Sequence, residues 1–152
     1  MSAIAVALHA LAAVVWVGGM FFAYQVQRPA TGPMDPPVRL ALWGRTFARF
    51  FQWVWGSVVV LLATGFWLIF AVFGGFAGVG LHVHIMMGVG ILMMLIYAHL
   101  WFAPYARFRA ALAASQFPEA GKQLNTIRQI VGANLVLGLI VVAIGASGRY
   151  WS

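Results

Sequence analysis

The stretch Ile4–Val26, IAVALHALAAVVWVGGMFFAYQV, carries no Asp, Glu, Lys or Arg, and its length decides the fold. A helix crossing the hydrocarbon core of a bilayer needs about 20 mostly apolar residues. Three further uncharged runs meet that requirement: Phe50–Val72, Leu81–Ala103 and Ile130–Ala146. Residues 4–26, 50–72, 81–103 and 130–146 are therefore read as four transmembrane spans. The chain is expected to be all-α, an integral membrane four-helix bundle whose single transmembrane domain takes in residues 1–152. No basic segment precedes Ile4, so the first run reads as a retained span rather than a cleaved signal peptide.

Composition supports this reading. The chain is 64% hydrophobic and 7% charged, far from both disordered segments and ordinary soluble domains. Its net charge of +7 comes from only nine Lys and Arg scattered among apolar residues. That is a poor surface for phosphate backbones, so no nucleic-acid partner is expected. With no cysteine, disulfides, thiolate zinc sites, Fe–S clusters and covalently attached haem are all excluded.

The cations fix an expected orientation. Arg28, Arg39, Arg45 and Arg49 lie between spans one and two, and Arg107, Arg109, Lys122 and Arg128 between spans three and four. The connection FGGFAGVG, Phe73–Gly80, has no charge, and Arg149 is the only cation outside the two basic segments. By the positive-inside rule the basic segments face the cytoplasm and both termini the outer, periplasmic side. The expected location is a bacterial inner membrane, crossed in multiple passes. LWGRTFARFF, Leu42–Phe51, reads as the start of the second helix inside the cytoplasmic interface, with Arg45 and Arg49 snorkelling to headgroups.

Ionisable residues inside spans are expensive and point to function. On this topology His9 lies about 7–8 Å and His84 about 4–5 Å from the outer ends of their spans. His82 is nearer the surface, and His99 lies about 22 Å deeper than His84. His84 and His99 fall broadly on one helix face, and His82 points nearly opposite to His84. His9, Ala13, Trp16 and Met20 form a stripe on span one, and Gly88 sits one turn below His84. Two imidazoles at matched depth on two helices suit the two faces of a b-type haem. His9 and His84 are the expected iron ligands, with His82 and His99 as lesser metal candidates. Trp16, Gly88 and Asn134 would line the cofactor, and Phe21, Trp53, Trp55, Phe66 and Trp67 would add ring contacts. For His99, a carbonyl bond, a helix cap and a quinone contact all stay open.

A second metal chemistry is visible. Met86 and Met87 recur seven residues later as Met93 and Met94, and thioethers with imidazoles suit Cu(I). Asn134, Gly138 and Gly145 form a small, polar packing seam on span four. Asp35 and Glu119 are the only carboxylates and both lie in the basic connections. No acid–base pair or nucleophile set follows, and the catalytic residues, if the chain is an enzyme, stay unassigned.

LHALAAVVWVGGMFF, Leu8–Phe22, resembles the first span of the copper-resistance protein D (CopD) family, whose His-to-Trp spacing is shared by the related HemJ-type protoporphyrinogen oxidases. LHVH, Leu81–His84, resembles the start of their third long helix, written LHxK in the oxidases, and Asn125–Ala146 is similar to their closing span. The resemblance maps the oxidases' required His onto His9 and their Lys onto His84. An imidazole in place of that ammonium favours a bis-His haem over porphyrinogen oxidation. The expectation is a haem b protein of the bilayer performing electron transfer with quinone or an outer-face redox protein. Two alternatives are HemJ-like protoporphyrinogen IX oxidation and CopD-like copper transport, and homo-oligomerisation is left open.

Overall fold

The computed structural model describes residues 1–151, except for the side chain of Arg149. Four long helices carry the chain: α1 (Ser2–Ala30), α2 (Pro36–Val72), α3 (Leu81–Ala113) and α4 (Phe117–Ser147). Each is long and apolar enough to cross a membrane. The bundle has two ends. The histidine end holds both termini and the α2–α3 connection, and the arginine end holds the other two connections.

Each helix outruns its predicted span, chiefly at the arginine end. The physical reason is that charged residues stop a span but not a helix. Arg39, Arg45 and Arg49 continue the helix that the apolar run began, and Pro36 supplies a fixed φ at its first turn. Pro104 lies inside α3, where a π-helical turn over Trp101–Tyr105 accommodates its missing N–H. Similar π turns lie in α1 over Phe22–Gln27, one turn before its end, and at the end of α2 over Leu68–Val72.

The connections are tight. Gly74 and Gly75 take φ of +72° and +113°, a backbone that side chains rarely tolerate, and so turn the chain directly back into α3. At the other end, Ser115 adopts φ of +55°, and the Gln116 N–H donates to the Ala111 carbonyl at 2.9 Å.

Packing is paired. The α1 helix runs along α2, α3 runs along α4, and α4 also touches α1 and α2. On α1, Ala5, Ala12, Trp16 and Met20 are buried while Ile4, Leu8, Leu11 and Val14 are exposed. That is the one-sided pattern of a helix between protein and lipid. The densest core lies towards the arginine end, where aromatic rings join α2 to α3. Phe51 meets Tyr105 edge-on at 4.8 Å and stacks on Phe47 at 5.0 Å. The Tyr97 hydroxyl donates to the Phe51 carbonyl at 2.8 Å, tying the two helices at a buried point. At the histidine end α3 is less enclosed, and none of its residues from Leu81 to Leu92 is fully buried.

Candidate functional site at the histidine end

His9, His82 and His84 all sit at the histidine end, but each takes a different neighbour. His9 points at α2. Its Nδ1 lies 2.8 Å from Thr64 Oγ1, and its ring rests against Gly65. The Thr64 hydroxyl already donates its single proton to the Val60 carbonyl at 2.6 Å. Towards His9 it can only accept, so the His9 proton sits on Nδ1 and the Nε2 lone pair is bare. His84 reaches the same tautomer by another route. Its Nδ1 lies 3.2 Å from the Gly80 carbonyl, an acceptor only, so Nε2 again carries the free lone pair.

Among the described residues no contact links the rings of His9 and His84. His84 lies on the exposed side of α3, with its ring 6.5 Å from that of Phe76. Gly88, one turn below, faces open space. His99 is exposed too. His82 points the other way, against Gly148 of the α4 terminus and edge-on to Trp151 at 6.3 Å.

Of the aromatic residues expected to line a haem, Trp16 is buried and Trp55 packs on Tyr97 at 5.2 Å. Phe21, Trp53, Phe66 and Trp67 instead point outward, Trp53 with 68% of its surface exposed. Helical phase explains this: Trp53 is adjacent to buried Val54 and so falls on a different side of α2.

The seam between α3 and α4 gathers more chemistry than any other line in the bundle. His82, Met86 and Met93 succeed one another along α3 at intervals of four and seven residues, within about 40° of one another around the helix. Opposite them stand Gly148, Gly145 and Gly138. A Cβ built on Gly145 would meet Met86 Cε at 2.9 Å and Sδ at 3.3 Å, and one on Gly138 would meet Met93 Cε at 3.1 Å. Glycine makes room for these side chains between two close helices. Asn134, 3% exposed, donates from Nδ2 to the Met93 carbonyl at 3.3 Å. Its Oδ1 is buried with no hydrogen-bond partner, one turn of α4 from Gly138, where the Met93 side chain packs.

The Met pairs therefore divide. Met86 and Met93 line the seam, while Met87 and Met94 are half-buried to one side. No group of three or more His, Cys, Asp or Glu that could hold a metal forms among the described residues. The donors that do line up are thioethers and an imidazole, which favour a soft ion. Thr64 was missed as the partner of His9. Span two carries two hydroxyls, Ser57 and Thr64, and Thr64, the one nearer the histidine end, was the available signal.

Comparison with known proteins gives one result for the family. The model of the family described as copper resistance protein D matches residues 44–147. The match covers most of α2 and all of α3 and α4, and holds His82, His84, Met86, Met93 and Asn134, while His9 precedes it. No curated protein and no solved structure matches the chain. With four membrane-length helices and a family model that takes in most of its length, the chain belongs to the copper resistance protein D family.

Proposed function

We propose that this multi-pass membrane protein moves Cu(I) along the α3–α4 seam, with His82, Met86 and Met93 as successive donors. The observation supporting it is the alignment of those three side chains opposite Gly148, Gly145 and Gly138, in a chain of the copper-resistance family. His82 and Met86 are one turn apart, about 6 Å along the axis, and Met93 lies about 10 Å further in. An ion received at the histidine end would pass from an imidazole–thioether pair to a deeper thioether, at the level where Asn134 Oδ1 is unpartnered.

The charge balance suits a monovalent ion. Asp35 and Glu119 both belong to the arginine end, so the seam has neutral donors only. A divalent ion without a carboxylate would bear a desolvation cost that Cu(I) largely escapes. In the orientation that the basic connections favour, the histidine end faces outward, and His82 is the first donor met from that side.

Proteoliposomes holding the full chain test this with Cu(I) supplied as a chelate outside. The expected result is copper uptake that falls about tenfold in Met86→Leu and in Met93→Leu and persists in Met87→Leu. Equal uptake in all three variants would remove the seam from the pathway.

Haem b on His9 and His84, with electron transfer to quinone or a redox protein, is the second reading. The bare Nε2 on each ring favours it. His84 lies on the exposed side of α3 while His9 faces α2, which gives this reading less support than the aligned donors of the seam. The absorbance spectrum of the purified protein separates the readings, and rescue of a strain lacking protoporphyrinogen oxidase tests the HemJ-like alternative.

A further inference from the structure

The arginine end holds a cavity of about 500 Å³ that the copper reading does not use. Arg28 from α1, Arg39 from α2 and Arg128 from α4 line it, together with Tyr24, Thr31 and Trp43. Like charges from three helices have been brought together here, and Arg28 and Arg39 both repel Arg128. Among the described residues no carboxylate compensates them. Among the described residues the one ion pair is Lys122 with Glu119 at 3.7 Å, on the surface of α4, and Asp35 is exposed and joins no ion pair.

The guanidiniums are also short of acceptors. Arg28 lies 4.9 Å from the centre of the Tyr24 ring, and Arg39 Nη1 donates to the Gly32 carbonyl at 3.2 Å. Arg128 Nε is buried and has no hydrogen-bond partner. A buried, charged donor left without an acceptor is costly. An anion in the cavity would remove both that cost and the mutual repulsion. Guanidinium forks match the oxygens of phosphate in particular.

The cavity has an apolar floor. A narrow cleft shares Tyr24, Arg28, Trp43 and Arg128 with it and continues between Ala23, Phe47, Phe51 and Val131 into the bundle. That cleft holds only about 10 Å³, too little for an acyl chain. A charged mouth at the end of membrane-length helices lies where phospholipid phosphates do, and a lipid's hydrocarbon body would lie along the outer helix faces.

We propose that Arg28, Arg39 and Arg128 form a phosphate-binding site whose ligand is the headgroup of an anionic phospholipid. The trapped headgroup would hold α1, α2 and α4 together at this end. The full chain, purified in detergent, is titrated with short-chain phosphatidylglycerol, with phosphatidylcholine of equal length and with inorganic phosphate. Binding is read by native mass spectrometry, and melting temperature by near-ultraviolet circular dichroism. Expected are retention of phosphatidylglycerol, a raised melting temperature and a weaker response to phosphatidylcholine. Arg28→Gln and Arg128→Gln should each lower that retention about tenfold, the loss of one charge-assisted contact. Arg45→Gln and Arg49→Gln, exposed on α2 outside the lining, should retain it and report any unspecific charge effect. Equal losses in all four variants, or equal retention of both lipids, would overturn the site. Binding of inorganic phosphate with no competition from phosphatidylglycerol would keep the anion site and overturn its lipid occupant. A variant that melts below the wild type in phosphatidylcholine alone is replaced by the corresponding Arg→Lys change. That change keeps the charge, loses the fork and should give an intermediate loss.

Discussion

A methyl group added to Gly138 should leave the protein less stable than one added to Gly88. Both glycines are inside helices, where alanine is favoured over glycine by about 1 kcal/mol. At Gly88 the new Cβ meets no atom within 4 Å, so Gly88→Ala should stabilise by up to about 1 kcal/mol. At Gly138 it would meet Val17 Cγ2 at 2.9 Å and Met93 Cε at 3.1 Å. The Met93 methyl can swing away, but Val17 is stiff at χ1 and fixed by its place on α1. Overpacking of this kind costs about 1–3 kcal/mol. Offset by the helix gain, Gly138→Ala should be destabilised by about 0–2 kcal/mol, leaving it about 1–3 kcal/mol below Gly88→Ala. Reversible unfolding in mixed micelles, followed by circular dichroism as the denaturing detergent is raised, measures both. A Gly138→Ala protein as stable as Gly88→Ala would refute the close approach of α1, α3 and α4 at this level.

Two further outcomes check the polar contacts. Tyr97→Phe removes the bond to the Phe51 carbonyl and should cost about 0.6–1.7 kcal/mol in the same unfolding assay, as membrane hydrogen bonds do. Nitrogen-15 spectra of histidine-labelled protein should show His9 protonated at Nδ1. Thr64→Val, which keeps shape but removes the acceptor, should release that preference. A His9 protonated at Nε2 in the wild type would contradict the hydrogen-bond chain through Thr64.

Hydrophobic length and charge placement made the four helices legible, because a bilayer tolerates few ways of crossing it. The helix ends were less so. Runs such as Arg39–Arg49 and Ala106–Ala113 continue as helix beyond the apolar core, and hydropathy measures the solvent, not the backbone. The depth of His9 and His84 could be counted from sequence, but their partners could not. His9 turned to Thr64 because α1 pairs with α2, and His84 turned outward because α3 pairs with α4 over the His82 side. That choice of neighbours depends on where glycine lets two helices close, at Gly138, Gly145 and Gly148. The grouping of Arg28, Arg39 and Arg128 was hidden for the same reason, since three helices supply one cation each.

X-ray absorption at the copper edge, on purified chain loaded with Cu(I), tests the seam most directly. The account predicts a spectrum with both thioether sulfur and imidazole nitrogen around the ion. The sulfur contribution should fall in Met86→Leu and the nitrogen contribution in His82→Ala. A copper ion surrounded by nitrogen and oxygen alone, or unchanged by either substitution, would contradict it.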